Sequence, residues 1–260
     1  MTTPRGNSKA NLALVTGATA GIGAVFARRL AAKGYDLVLV ARDLSRLKHA
    51  AEELTIEHGA RVEVLSADLA TDEGIIAVAS RAADGVDLLI NNAGFGQHGG
   101  LMTSNMDEEL AMLKVHCEAV LRICRAALPT MIERGHGDII NVASVAAFFS
   151  RGTYSASKRW VVTFSDSLRQ EILGTGVHVM ALCPGWIHTE FHKRSGMETT
   201  GIPDFLWLDA DALVTGALRD LSHHKAVSMP GWKYRALVGL GKILPLSLAT
   251  KLSARAGSHH

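Results

Sequence analysis

Residues 16–23 read TGATAGIG and join a short apolar segment, Leu12–Thr16, to a segment of helical periodicity that begins near residue 21. Glycine lets a backbone turn tightly and lets another group approach it closely. The first N–H groups of a helix have no partner within the helix, and together with the helix dipole they attract a phosphate. The stretch therefore predicts a strand, a glycine-rich turn and a helix that can bind a pyrophosphate. Glycine serving only the geometry of the turn is the alternative.

Apolar segments rich in β-branched residues recur along the chain, separated by segments of helical periodicity. The predicted strands are Leu12–Thr16, Asp36–Ala41, Val62–Ser66, Val86–Asn91, Asp138–Ala143 and Val177–Cys183. The predicted helices cover about 21–33, 43–58, 71–82, 106–134, 152–173 and 209–222. Apolar strands without alternation, separated by helices, are typical of a parallel sheet buried on both faces. The sequence thus predicts an α/β fold with a doubly wound parallel sheet.

Length, charge and cysteine content limit the kinds of protein that this chain can be. Of 260 residues, 48% are hydrophobic, so we expect a loose tail over 1–10 and one domain over 11–260. With 27 basic and 25 acidic residues, the chain carries no charge pattern for nucleic acid. Cys117, Cys124 and Cys183 form no CxxC pair and are odd in number, which favours free thiols in the cytoplasm over a disulfide framework.

Two segments near the ends of the given sequence bear on membrane contact. The polar opening lacks the apolar segment of a signal peptide, and we expect neither a signal peptide nor an anchor. The most apolar stretch, 237–248, is interrupted by Lys242 and Pro245 and falls short of the roughly 20 residues of a membrane span. We expect a helix packed on the body or on a second subunit, with contact to a membrane surface as the alternative. His259 and His260 are either native or a tag remnant and are left out of the site.

The carboxyl ends of the strands are where such sheets bind ligands. After the second strand, an acidic residue would bind the ribose of NAD, whereas an arginine can pair with the 2′-phosphate of NADP. Ala41 stands at the acidic position and Arg42 follows, so NADP(H) is predicted over NAD(H). Asp43 either binds the ribose or, as we favour, caps the next helix.

Two further strand ends carry polar residues. Asp68 and Leu69 follow the third strand, where an adenine ring would lie. The fourth strand ends in NNAG, residues 91–94. This stretch is either an ordinary polar turn or a pair of amides that cross-link strands and leave room for a ribose.

Residues 153–160 read TYSASKRW and place Tyr154 and Lys158 four positions apart. On a helix both side chains share one face, and an ammonium group lowers the pKa of a nearby phenol. Moving that pKa from about 10 to about 7 takes roughly 4 kcal/mol, so the lysine needs help. A surface pair on a helix is the alternative for this pattern alone.

Five motifs follow one another in order: TGATAGIG, NNAG, Ser144, YSASK at 154–158 and Pro184-Gly185. With this order and spacing, residues 10 to about 230 resemble the short-chain dehydrogenase/reductase family. The resemblance implies a single-domain Rossmann fold with strand order 3-2-1-4-5-6-7 and NAD(P)-dependent interconversion of alcohols and carbonyls. It also implies a homodimer or homotetramer built through two long helices, with an apolar seam at Cys117, Val120, Leu121 and Cys124.

The resemblance assigns roles to individual residues. Tyr154 would be the acid/base, Lys158 its partner and a ligand of the nicotinamide ribose, and Ser144 the polariser of the substrate oxygen. The positive ring of the oxidised cofactor would supply the help that Lys158 needs. The loop after Pro184 resembles the family's PGxxxT loop, which contacts the carboxamide. The predicted cofactor-binding residues are Gly17, Thr19, Ala20, Gly21, Ile22, Gly23, Arg42, Asp68, Leu69, Asn92, Ala93, Gly94, Tyr154, Lys158, Pro184, Gly185, Ile187 and Thr189.

Two features depart from the family. Where the family usually has an Asn that kinks the fourth long helix and holds a water on a relay from the lysine, this chain has His116. The histidine would hold the water through its main chain, titrate and join the relay, or obstruct it, and it is included among the predicted catalytic residues. Ser144 and Tyr154 are ten residues apart, fewer than is usual, which should open the cleft on that side.

The segment 186–208 is the predicted substrate lid. Its Ile202, Phe205, Leu206 and Trp207 favour a small or medium apolar substrate. His188 and His192 flank Glu190, but no third ligand is evident and no metal is predicted.

Three functions compete. The favoured function is an NADP-dependent carbonyl reductase or alcohol dehydrogenase. The first alternative is a non-catalytic dinucleotide-binding regulator with the same fold, for which His116 is the one support. The second is epimerase or dehydratase chemistry on nucleotide sugars, which generally needs a larger carboxyl-terminal domain than residues 209–260 provide.

Overall fold

The sheet of the computed structural model confirms the predicted class. The structure describes residues 10–96, 100–150, 152–187 and 207–243. Within these ranges, seven parallel strands form one sheet in the order β3-β2-β1-β4-β5-β6-β7, so the doubly wound Rossmann fold is confirmed. The strands are β1 Leu12–Thr16, β2 Asp36–Ala41, β3 Val62–Ser66, β4 Leu88–Asn91, β5 Gly137–Val142, β6 Val177–Leu182 and β7 Val227–Ser228.

Each predicted helix is present, with boundaries shifted by a few residues at most. The helices are α1 Gly21–Ala32, α2 Leu44–His58, α3 Asp72–Ala83, α4 Met106–Leu113, α5 Val120–Arg134, α6 Gly152–Glu171, α7 Ala210–Ser222 and α8 Trp232–Ile243. The predicted helix 106–134 is one continuous helical run with a π-helical turn, Lys114–Ala119, between α4 and α5. A 3₁₀ turn, Val145–Phe148, follows β5.

Two apolar layers cover the sheet. Successive side chains of a strand point to opposite faces, so Leu14 of β1 packs with α3 and α5 residues on one face. Its neighbours Ala13 and Val15 pack on the other face, with Phe26 of α1 and Val214 of α7. Because both faces are covered, the strands read as uninterrupted apolar runs.

The predicted apolar seam for a second subunit is wrong at two of its four positions. Val120 and Cys124 are 7% and 0% exposed because α5 packs them into the core. Leu121 is 45% exposed and Cys117 is partly exposed. The number of subunits therefore stays a prediction.

The last described helix overlaps the stretch expected to pack on the body. Tyr234 of α8 is only 2% exposed, and the Trp186 N–H donates to its hydroxyl oxygen at 2.9 Å. No helix within the described ranges is long and apolar enough to cross a membrane. Most of the predicted lid, with Thr189, His188, His192, Glu190, Ile202, Phe205 and Leu206, lies outside the described residues, as do His259 and His260.

Candidate active site

The glycine-rich turn after β1 is packed tightly against the turn after β4. Asn92 Nδ2 donates to the carbonyl oxygens of Thr16 and Gly17 at 2.9 and 3.3 Å. The Thr16 hydroxyl oxygen accepts from the N–H groups of Asn92 and Ala93 at 2.9 and 3.0 Å. Gly17 has φ +66°, and a Cβ there would lie 2.9 Å from Asn92 Nδ2. Only glycine fits at this position.

The start of α1 suits a pyrophosphate. Its N-cap residue is Ala20, which has no side-chain acceptor, so the first N–H groups of the helix are uncapped by a side chain. Uncapped N–H groups and the positive end of the dipole bind anions. The residues expected at this edge, Gly17 and Thr19–Gly23, line the turn and the first turn of α1. They fit the diphosphate of a dinucleotide.

The two charged residues after β2, Arg42 and Asp43, have different surroundings. Asp43 is the N-cap of α2 and its carboxylate accepts from the Arg46 N–H at 3.0 Å. Asp43 therefore caps the helix, as favoured from the sequence. Arg42 is exposed at the same edge, and Arg46 donates from Nη2 to the Thr19 carbonyl at 3.0 Å. An exposed guanidinium group at the end of this strand suits a phosphate.

The residues after β3 make local contacts, whereas those at the end of β4 contact a neighbouring strand. Asp68 Oδ1 accepts from the Ala70 N–H at 3.0 Å, while the Leu69 side chain is buried in the core. Asn91 donates to the Asn141 side chain of β5 at 2.9 Å, so the NNAG amides do cross-link neighbouring strands.

Ser144, Tyr154 and Lys158 come together beyond β5. Ser144 follows the strand and caps the 3₁₀ turn, its hydroxyl accepting from the Ala146 N–H at 3.1 Å. The Ser144 hydroxyl also hydrogen-bonds to the Tyr154 side chain. Lys158, one helical turn along α6, has its Nζ 5.8 Å from the centroid of the Tyr154 ring and donates to the Val142 carbonyl at 3.1 Å. The predicted cluster is thus assembled by one strand end and one helix.

Burial shifts the two titrating groups in opposite directions. It raises the pKa of Tyr154 to about 12, against a smaller lowering by the Ser144 hydrogen bond. It lowers the pKa of Lys158 to about 8. Desolvation disfavours the charged form of each group. The protein alone therefore keeps the phenol protonated at neutral pH, and the predicted acidification by lysine is not present without a further positive charge.

His116 lies in the π-helical turn and is 1% exposed. Its Nε2 accepts from the Phe95 N–H at 3.2 Å, and its Nδ1 lies 2.9 Å from Ser157 Oγ. Because the Ser157 hydroxyl donates to the Tyr154 carbonyl at 2.8 Å, its oxygen accepts from His116, which fixes the neutral Nδ1–H tautomer. Burial, and then the charge of Lys158, hold the pKa of His116 well below its usual range.

Gly94 completes this corner of the site. A Cβ on residue 94 would lie 2.7 Å from His116 Nε2 and 3.4 Å from Lys158 Nζ. The imidazole and the amine thus both approach the backbone of the NNAG turn. No side chain fits between them.

The loop after β6 is held from both sides. The Pro184 carbonyl accepts from the Val145 N–H at 2.9 Å, next to Ser144. Ile187, which is 3% exposed, forms a bridge with Leu208, and the Leu208 N–H donates to the Trp186 carbonyl at 2.8 Å. The two ends of the segment that carries the predicted lid therefore meet at this edge of the sheet.

Four residues of this region were missed from the sequence: Glu109, Thr153, Ser157 and Tyr234. Glu109 is 4% exposed and its carboxyl group accepts from the Thr153 hydroxyl at 2.6 Å. There was little reason in the sequence to single out Glu109, because it lies seven positions before His116 among several other charged residues of a predicted helix.

In the part of the chain that the structure describes, no three His, Cys, Asp or Glu side chains are arranged to hold a metal ion.

Comparisons with known proteins show the family of the chain. Residues 11–199 match the family model for short chain dehydrogenase. Ketoacyl reductase HetN of Nostoc sp. is 34% identical over 182 residues, which are 67% of this chain and 62% of that protein.

Two solved structures have the same fold over most of the chain. A short-chain dehydrogenase from Sphingobium yanoikuyae in complex with NADPH is 34% identical, with a TM-score of 0.82 over 89% of this chain and 93% of that one. The bulky-bulky ketone specific alcohol dehydrogenase from Comamonas testosteroni is 29% identical, with a TM-score of 0.77 over 92% of this chain and 96% of that one.

Proposed function

The chain belongs to the short-chain dehydrogenase/reductase family, and on that premise we propose that it interconverts a carbonyl and a secondary alcohol with NADP(H). The observation that carries the proposal is the Ser144–Tyr154–Lys158 cluster beside a glycine-rich turn fitted to a diphosphate. The substrate class we propose is small or medium apolar ketones and the alcohols derived from them.

The proposed chemistry follows from the state of each side chain. When bound, a reduced nicotinamide dinucleotide supplies the hydride for the carbonyl carbon. The Ser144 hydroxyl donates a hydrogen bond to the substrate oxygen as charge develops there. Tyr154, whose pKa burial raises to about 12, is protonated at neutral pH and gives the Oη proton to that oxygen. Lys158, with a pKa lowered to about 8, is still mostly cationic at neutral pH and stabilises the phenolate left behind.

The preference for NADP(H) over NAD(H) rests on Arg42. Its guanidinium is exposed at the end of β2, and Asp43, the acidic competitor for a ribose, is engaged as a helix cap. The Sphingobium relative was solved with NADPH, which supports the same choice.

An apolar substrate is supported by two tryptophans at the base of the predicted lid. The ring centroids of Trp186 and Trp207 lie 6.1 Å apart. The Comamonas relative is specific for bulky-bulky ketones, which supports a ketone as the substrate but not a particular size. We propose that the protein works in the cytoplasm as a homodimer or homotetramer. The thiols of Cys117, Cys124 and Cys183 are free, which suits a reducing compartment.

One observation favours the alternative, a non-catalytic dinucleotide-binding regulator. Both nitrogens of His116 are engaged within the protein at the position where the family usually holds a relay water. A chain that cannot return protons to Lys158 would bind the cofactor without turnover.

The test is transfer of deuterium from NADPH labelled at the nicotinamide C4 to a panel of apolar ketones. We expect labelled alcohol from the wild type and a loss of at least about 100-fold in kcat for Tyr154→Phe, with the Kd for NADPH within about twofold. Tight NADPH binding with no labelled alcohol from any ketone would favour the regulator. Wild-type turnover by Tyr154→Phe would remove Tyr154 from the mechanism.

A further inference from the structure

Two buried residues of the helical run 106–134 hold the helix that carries Tyr154. Resting on the proposed function, we infer that Glu109 and His116, which face α6 from the helical run 106–134, are positioning residues that fix where the Tyr154 hydroxyl lies. Neither residue is expected to touch the substrate or the cofactor. Each acts on Tyr154 through a neighbour in α6.

The first support is the contact between Glu109 and Thr153. The Thr153 hydroxyl donates to Glu109 Oε2 at 2.6 Å, which is at the short end of the range for hydrogen bonds between oxygens. Glu109 is 4% exposed, and a carboxyl group is buried at such a site only with a partner. Because α6 begins at Gly152, the carboxyl group lies at the positive end of that helix. It anchors the residue directly before Tyr154.

The second support is His116, which acts on Tyr154 once through Ser157 and once directly. The Ser157 hydroxyl accepts from His116 Nδ1 and donates to the Tyr154 carbonyl, so the imidazole is linked to the tyrosine backbone. The rings of His116 and Tyr154 also meet edge to face, with centroids 5.7 Å apart and planes at 73°. The imidazole therefore restrains both the backbone and the ring of Tyr154.

The same contacts argue against proton transfer through His116. Its Nε2 accepts from the Phe95 backbone N–H, a group that does not release its proton. Its Nδ1 proton is held by Ser157, whose own proton goes to a carbonyl. With both nitrogens engaged and the ring buried, the imidazole holds its neighbours in place and does not act as a relay.

The two supports enclose Tyr154 from both sides along α6. Thr153 and Ser157 are held by one helical run, while Ser144 is fixed at the end of β5. The distance from the Tyr154 hydroxyl to Ser144 thus depends on both supports. A displacement of about 1 Å in such a constellation can cost on the order of 100-fold in rate.

The test uses small variants that remove one support each. Thr153→Val keeps the shape of the side chain and removes the donor to Glu109, and Thr153→Ser restores the hydroxyl. Ser157→Ala breaks the link from His116. The matched control is Ser165→Ala, because Ser165 is 1% exposed, donates to the Val161 carbonyl at 2.7 Å and accepts from Asn141 at 3.0 Å, two turns further along α6.

We expect kcat to fall about 10- to 100-fold for Thr153→Val and for Ser157→Ala, with the Kd for NADPH within about twofold. The apparent pKa of the proton-donating group in the pH profile of kcat should also move. Thr153→Ser should recover most of the activity. Ser165→Ala should lower the melting temperature by a similar amount and leave kcat and the pH profile unchanged.

The inference is overturned if Thr153→Val and Ser157→Ala lose thermal stability as the control does but keep the wild-type kcat and pH profile. Each variant tests its own support, so failure of one to fold leaves the other decisive. Failure of the proposed function looks different, because then the wild type transfers no deuterium or Tyr154→Phe is as active as the wild type.

Discussion

Burial gives Tyr154 a preferred direction of proton transfer. With the pKa raised to about 12, forming the phenolate at neutral pH costs about 7 kcal/mol in the protein alone. A phenol at its free value of about 10 would need about 4 kcal/mol. The chain by itself thus favours the proton donor, which is the state that reduction of a ketone requires. Oxidation of an alcohol needs the additional positive charge of an oxidised cofactor.

Arg42→Ala should erode the preference for NADP(H). Loss of a charged hydrogen bond to the 2′-phosphate typically removes about 1.5–3 kcal/mol, so we expect kcat/KM for NADPH to fall about 10- to 100-fold. The value for NADH should stay within about threefold, because NADH lacks the phosphate. Steady-state kinetics with both cofactors measure the ratio. The control is Lys48→Ala, which removes an exposed positive charge within α2. If Arg42→Ala left the ratio of NADPH to NADH efficiency unchanged, the 2′-phosphate site would lie elsewhere.

The elements that could be predicted are those with a clear periodicity. The six predicted strands and the central helices are present because apolar runs and helical spacing are local signals. The π-helical turn at Lys114–Ala119 carries no such signal, since its side chains alternate between core and surface much as in an α-helix. β7 has two residues, too few for any pattern. β4 begins at Leu88 rather than Val86, because the first residue of β4 paired with β1 and β5 is Leu88.

Asp43→Ala tests the helix cap at the start of α2. The carboxylate accepts from the Arg46 N–H, and loss of such a cap typically lowers the free energy of unfolding by about 1 kcal/mol. Asp43→Asn, which keeps an acceptor oxygen, should lose much less. Urea denaturation measures both variants. A fall in NADH affinity for Asp43→Ala, with no change in stability, would instead identify Asp43 as a ribose ligand.

At the scale of the whole molecule, the motif residues could be predicted and their supports could not. Tyr154 and Lys158 are four positions apart, so local geometry brings them together. Glu109 and Thr153 are 44 positions apart, and only the packing of α4 on α6 makes them neighbours. His116 was singled out from the sequence, yet its neutral tautomer depends on Phe95 and Ser157, from two other elements.

The pH dependence of global stability should report the buried His116. Below about pH 6.5 the unfolded chain takes up a proton at this residue, whereas the folded chain, whose His116 pKa lies well lower, does not. The unfolded state then binds more protons, so the free energy of unfolding falls as pH falls, by up to about 1.4 kcal/mol per pH unit.

His116→Phe should remove this part of the slope. The comparison is urea denaturation of both proteins between about pH 5 and pH 7.5, with the difference between their free energies of unfolding shrinking toward low pH. Parallel curves would mean that His116 takes up its proton in the folded state.

Tyr234 has a practical consequence for anyone who attaches this protein to something else. Its ring lies against Gly185 so closely that a Cβ there would collide with it, and its hydroxyl holds the Trp186 amide. A fusion partner or an immobilising surface joined beside α8 would therefore pull on the loop after β6. An attachment ahead of Leu12 lies at the amino ends of the strands, the opposite edge of the sheet, and should leave that loop undisturbed.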